Sequence, residues 1–177
     1  MRRPQLEHLI RAASAITGAQ ELVVIGSQAI LGQFPNPPEE LLVSIEADLF
    51  TFRNEADAEL IDGSIGEFSP FHRTFGYYAH GVGEETASLP AGWKERLIPV
   101  RNENTGGGTG LCIESHDLAA SKLAAGREKD LSFVGGLLRH HLIDPEIIRE
   151  RVKAMPVSDQ IRDACLARLH RLSSGSV

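Results

Sequence analysis

The sequence predicts a mixed α/β (α+β) fold with a helical C-terminal part, and three observations carry that expectation. Apolar residues recur at helical spacing over residues 4–17, short apolar β-rich runs then alternate with helical segments, and the stretch from residue 115 onward reads as helix. A chain of 177 residues with 42% apolar content is long enough to bury a real core as one domain. We therefore expect an α/β core over residues 1–114 and a helical part over residues 115–177 packed on it.

The elements follow in order. Leu6, Leu9, Ile10, Ala13 and Ile16 form the apolar stripe of a first helix, which Gly18 stops. ELVVIG is a short buried strand, and SQAILGQF opens a helix with Ser27 near its N-cap before Pro35-Asn36-Pro37-Pro38 breaks the chain into a loop. LLVSIEADLFTF has the composition of a second strand, and a helix from about Glu55 to Ile65 is entered through Asn54. Residues 71–100 are rich in turns and aromatics, with short strands expected around GYYAHGVG, tight connections around LPAGW and another strand at RLIPV. NENTGGGTG lacks the lysine and the spacing of a GxxxxGK[ST] phosphate loop, so it reads as a hairpin connection to the strand LCIE. Four helices complete the chain: Ser115 or His116 to Ala125, Glu128 to His141, Pro145 to Ala154, and Ser158 to about Leu172, with Ser115 and Ser158 as N-caps and SSGSV as a frayed tail.

Composition excludes several classes. The charged start MRRPQLEHLI is not followed by the apolar run of a signal peptide, and no apolar run approaches the roughly 20 residues of a membrane span. Cys112 and Cys165 match no metal or redox spacing, read as buried small hydrophobes, and suit a reducing cytoplasm; Cys165 falls in a helical stripe with Ile161 and Leu169. The net charge of −6 divides into −7 for residues 1–110 and +1 for residues 111–177. Such a balance argues against a protein that wraps extended duplex DNA, while leaving room for a small basic patch in the second half that holds a triphosphate or a short RNA end.

The motif that carries chemistry is Gly26-Ser27, just past LVVI, paired with Glu46 and Asp48 in SIEADLFTF. A strand presents residues i and i+2 on one face, so the two acids project together while Ala47 and Leu49 turn into the core. Paired carboxylates suit Mg²⁺, a hard ion commonly held by one or two carboxylates plus substrate phosphates. A Gly-Ser turn lets backbone approach a phosphate at a helix N-terminus. Either signal alone is usually a solvated face or a plain turn; together they point to nucleotidyl transfer.

VVIGSQAILGQF, SIEADLF and SHDLAASKLAAGREKDLSFV, with Gly81-Val82-Gly83, Leu89-Pro90-Ala91-Gly92-Trp93 and the run Lys122 to Asp130, resemble the minimal bacterial nucleotidyltransferase-like proteins of the DNA polymerase β-like superfamily. That group includes the toxins of AbiE-like toxin-antitoxin modules. The resemblance covers roughly residues 20–140. It implies a mixed β-sheet flanked by helices and a transfer of NMP from an NTP, dependent on Mg²⁺ or Mn²⁺, to an RNA (tRNA) or protein acceptor, with a cognate antitoxin as a partner of the toxin form. Two departures stand out: Glu46 opens an acidic pair that usually begins with Asp, and the interval from Ser27 to Glu46 is long. The superfamily's third carboxylate, expected from a later strand, has no signature here; Glu103, Glu114 and Asp117 are the nearby candidates.

The expected roles are these. Glu46 and Asp48 hold the metal; Gly26 and Ser27 cradle phosphates; by resemblance Lys122, Arg127 and Lys129 contact phosphate, and Asp130 orients Lys122 or Lys129 or adds a ligand. In a continuous helix Lys122 and Asp130 would lie two turns apart on similar faces. The bland alternatives are a surface lysine on an alanine-rich helix and an ordinary Arg127–Asp130 ion pair. Trp93 and Arg96 suit an acceptor pocket, although a lone Trp beside Leu-Pro is more often a core plug. His140 and His141 diverge on a helix and make a poor metal pair. The competing function is a catalytically silent nucleotide-binding or partner-binding module, favoured by Glu46 and the missing third acid.

Overall fold

The computed structural model describes residues 1–174, so the last three residues of the expected tail lie outside the described residues. α1 (Arg3–Thr17) is followed by β1 (Glu21–Ile25), a 3-10 turn (Ser27–Ala29) and the short α2 (Ile30–Gln33). Next come β2 (Glu46–Phe50), α3 (Ala56–Ile65), α4 (Pro70–Phe75) and β3 (Tyr78–Gly81). A hairpin of β4 (Ile98–Val100) and β5 (Thr109–Cys112) leads to α5 (Ser115–Ala125), α6 (Glu128–Arg139), α7 (Pro145–Lys153) and α8 (Asp159–Ser173). The expected α+β fold, a mixed sheet flanked by helices, is borne out.

The five strands run in the order β3-β2-β1-β5-β4. β1 pairs antiparallel with β2 and parallel with β5, β2 pairs parallel with β3, and β4 pairs antiparallel with β5. Through this register Leu22, Val24, Leu49, Gly81, Gly110 and Cys112 share one face. Helices α1 to α3 cover that face closely: a methyl group on Gly110 would run into Ile10, one on Gly32 would meet Cys112 Sγ, and one on Gly81 would strike the backbone at Ala58. The opposite face carries Val23, Ile25, Glu46, Asp48, Phe50, Tyr78 and His80. One buried apolar cluster joins the sheet to the C-terminal helices, from Leu6 and Val24 to Leu118, Val134, Val152 and Leu169. Among the described residues no helix is long and apolar enough to cross a membrane.

Local physics explains where the expectations hold and where they fail. Gly18 ends α1 in the left-handed conformation, and Ser158 caps α8 by accepting from the Ile161 N–H. The Gly-rich stretch is the hairpin connection expected, with a 3-10 turn at Glu103–Thr105 ending on left-handed Gly106. Several details differ. Gly26, rather than Ser27, is the cap residue of the turn after β1, and no side chain caps it. The second strand begins only at Glu46, because Glu39–Leu41 form a 3-10 turn and Val43 and Ile45 are exposed. Helix α4 replaces part of the expected turn-rich region, with Ser69 as N-cap and Pro70 in its first position. Glu114 caps α5 in place of Ser115, its carboxylate accepting from the N–H groups of His116 and Asp117. Both cysteines are buried, but Ile161 is exposed and leaves the stripe of Cys165 and Leu169.

Candidate active site

β1 ends at Ile25, whose register partner on β2 is Asp48. The next residue, Gly26, has φ +71° and ψ −171°, a conformation open essentially to glycine alone. A Cβ added there would stand 3.2 Å from Asp48 Cγ and closer still to Oδ2. The Asp48 carboxylate therefore rests against the bare backbone of the Gly26-Ser27 turn. Ser27 opens the 3-10 turn. Directly behind it Gln28 is fully buried, and neither of its side-chain amide atoms has a hydrogen-bond partner.

Glu46 and Asp48 share a face of β2, as the two-residue spacing requires, while Ala47 and Leu49 are buried on the other. The parallel neighbour β3 adds two side chains that sequence reasoning missed. Tyr78 is opposite Glu46 and donates its hydroxyl to Glu46 Oε2 at 2.8 Å; His80 is opposite Asp48, with Nδ1 3.4 Å from Oδ1. Burial raises the Asp48 pKa first and the charge of Glu46 adds to it, whereas His80 and Lys122 pull it down. Burial likewise raises the Tyr78 pKa, helped by its hydrogen bond to Glu46. Asp48 keeps 26% of its side chain exposed, so solvent and solutes reach it.

Lys122 and Asp130 meet across a helix break, not along one continuous helix. Gly126 ends α5 at φ +66° and α6 starts at Glu128, which brings Lys122 Nζ to 2.9 Å from Asp130 Oδ1. Arg127 Nε binds the other carboxylate oxygen at 2.6 Å, and the ammonium of Lys122 lies 4.8 Å from the Phe133 ring centre. Asp130 is fully buried and Lys122 nearly so, which removes the reading of Lys122 as a surface lysine. Burial lowers the Lys122 pKa against the pull of Asp130. Burial also opposes ionisation of Asp130, but its hydrogen bonds from Arg127 and Lys122 prevail and its pKa is lowered. The exposed Arg127 has a raised pKa, chiefly from Asp130, with Asp48 and Glu46 contributing. The cationic cluster thus senses the β2 acids. Asp130 orients Lys122 and Arg127, while Lys129 is exposed on α6.

Most of the other named residues have structural partners. Asp117 is fully buried between Arg96 at 2.8 Å and Arg151 at 3.0 Å, so Arg96 is committed to an ion pair. Glu114 bonds His116 at 2.6 Å; burial opposes its ionisation, yet that bond helps bring its pKa down to about 2. Glu103 is exposed in the β4–β5 connection. Trp93 is buried against Phe52, as a core plug would be. His140 bonds Glu40 at 2.7 Å. Among the described residues no group of three or more His, Cys, Asp or Glu side chains is arranged to hold a metal ion. Two neighbouring carboxylates without an arginine partner still suit a divalent ion that draws its other ligands from phosphate and water.

A search of curated proteins and a search of solved structures each return no match. The model of the family DUF6036, described as a nucleotidyltransferase of unknown function, matches residues 4–169. With nearly the whole length matched, and with the acids of β2 seated against a Gly-Ser turn, the chain belongs to this nucleotidyltransferase family.

Proposed function

We propose that the chain transfers a nucleoside monophosphate from an NTP to an RNA (tRNA) or protein acceptor, with Glu46 and Asp48 as ligands of Mg²⁺ or Mn²⁺. The observation that carries this reading is the approach of Asp48 to the bare backbone of Gly26, which sets a carboxylate against the Gly26-Ser27 turn. When bound, the ion supplies Lewis-acid polarisation of the attacked phosphate. The residues of the chain do the rest. The turn at Gly26-Ser27 offers N–H groups and the Ser27 hydroxyl to phosphate oxygens. Lys122 and Arg127, fixed by Asp130, balance the charge that shifts toward pyrophosphate as it leaves. Tyr78 holds Glu46 in place.

The test is incubation with the metal and each α-labelled NTP, with and without total RNA, comparing the native chain with Asp48→Ala. Label that reaches an acceptor and vanishes in the variant supports the enzyme; no label with any NTP and acceptor overturns it. One observation favours a catalytically silent nucleotide-binding or partner-binding module: His80, not a carboxylate, stands beside Asp48 on the neighbouring strand. Retained NTP binding without transfer supports that second reading. The resemblance to AbiE-like toxins extends the first, with a growth-inhibiting modification and a cognate antitoxin encoded in a neighbouring reading frame.

A further inference from the structure

Phe68 combines two locally unfavourable features. Its φ is +62°, in the left-handed region that a bulky residue rarely enters, and the residue is 75% exposed. Two hydrogen bonds hold it there: its N–H donates to His72 Nδ1 at 3.1 Å, and Arg73 Nη1 donates to its carbonyl oxygen at 2.6 Å. Strain held in place by dedicated bonds is a mark of functional positions. From Phe68 a row of rings leads inward. The Phe68 and His72 ring centres are 6.4 Å apart, those of His72 and Tyr78 are 4.6 Å apart, and the Tyr78 hydroxyl ends the row on Glu46. Ring contacts thus lead from the exposed Phe68 through the half-buried His72 and Tyr78 to the acid pair.

The sheet order fixes the side on which this row lies. β2 stands between β1 and β3, so the Gly26-Ser27 turn flanks the acids on one side and the aromatic row on the other. In phosphoryl transfer the attacking and leaving groups lie roughly in line across the phosphorus. With the triphosphate on the β1 side, the acceptor arrives from the β3 side, over the rings. We propose that Phe68, His72 and Tyr78 form a stacking platform for the bases of a single-stranded RNA end, which makes the acceptor a nucleic acid and not a protein. Stacking is sequence-tolerant because every base has a π-face. A short end held by rings more than by phosphate contacts has an affinity that falls only shallowly with salt.

This inference rests on the nucleotidyl-transfer reading for the direction of approach, and its test is kept separate from that reading. A fluorescein-labelled, short single-stranded RNA is titrated with the full chain in EDTA without NTP, and anisotropy is followed for the native chain, Phe68→Gly and Phe68→Trp. Glycine accepts the positive φ, so Phe68→Gly removes the ring while relieving the backbone, and its melting temperature should not fall. The expected result is a loss of roughly fivefold or more in affinity for Phe68→Gly and retention for Phe68→Trp. If that pattern appears while label transfer fails, the platform stands and the enzyme reading falls. The platform is overturned if native protein does not bind the RNA, if Phe68→Gly binds it equally well, or if label goes to a protein acceptor with Phe68→Gly as active as native.

Discussion

Replacing Gly26 with alanine tests the geometry of the site at its tightest point. Two costs add. The φ of +71° with ψ −171° is strained for any L-residue, which costs about 1–3 kcal/mol. The new methyl would also lie 3.2 Å from Asp48 Cγ and closer to Oδ2, so the carboxylate must move by about an ångström. A displacement of that size at reacting groups is able to cost on the order of 100-fold in rate. The backbone strain alone should therefore lower the melting temperature of Gly26→Ala by roughly 2–12 °C, from 2–4 °C per kcal/mol for a domain of this length, with the steric cost on top, and label transfer should fall about 100-fold. Calorimetry and the α-labelled NTP assay measure the two effects. The steric part is separable, because in an Asp48→Ala background the same substitution meets no carboxylate and should cost less stability. Native melting and native transfer in Gly26→Ala would refute the argument that the turn and Asp48 are in contact.

Two further outcomes follow from the charges. Asp130→Asn strips the buried ammonium of Lys122 of its counter-charge, and loss of one partner of a buried pair costs about 3–5 kcal/mol. Urea denaturation should register that loss, with partial recovery when Lys122→Met is added; a change below about 1 kcal/mol, a size ordinary for exposed pairs, would contradict the burial argument. The Asp48 pKa is raised by burial and by Glu46, so in the metal-free protein its ionisation opposes folding. The stability linked to its proton is present in full below the ordinary Asp range and lost as pH rises through the raised value. Asp48→Asn should consequently melt higher than native protein at pH 7 in EDTA, with the gain shrinking toward acid; a lower melting point at pH 7 would count against it.

Much of this architecture is local and hence legible in the sequence. α1 and the four C-terminal helices announce themselves by apolar spacing and by Gly18 and Ser158 at their ends. The Gly-Ser turn and the i, i+2 acids are equally local, and the antiparallel register Ile25–Asp48 joins them. What stayed hidden depends on long-range pairing. Tyr78 and His80 reach the acids only because β3 pairs parallel with β2, across more than 30 residues of chain that no turn motif registers. Lys122 and Asp130 meet because Gly126 breaks the helix, whereas a spacing argument treats them as neighbours along one axis. Apolar content misled at Val43 and Ile45, which are exposed, and α4, opened by Ser69 and Pro70, buries no residue and so lacks the apolar spacing that marks the longer helices.

The central claim is that Glu46 and Asp48 together seat a metal–nucleotide complex against the Gly26-Ser27 turn. Water-proton relaxation with Mn²⁺ and a non-hydrolysable NTP measures this directly in the native chain, Glu46→Gln and Asp48→Asn. The account predicts enhanced relaxation on formation of a ternary complex with native protein and its loss in both variants, while Mn²⁺–NTP free in solution is unchanged. Equal enhancement in all three proteins, or none in the native chain, would contradict it.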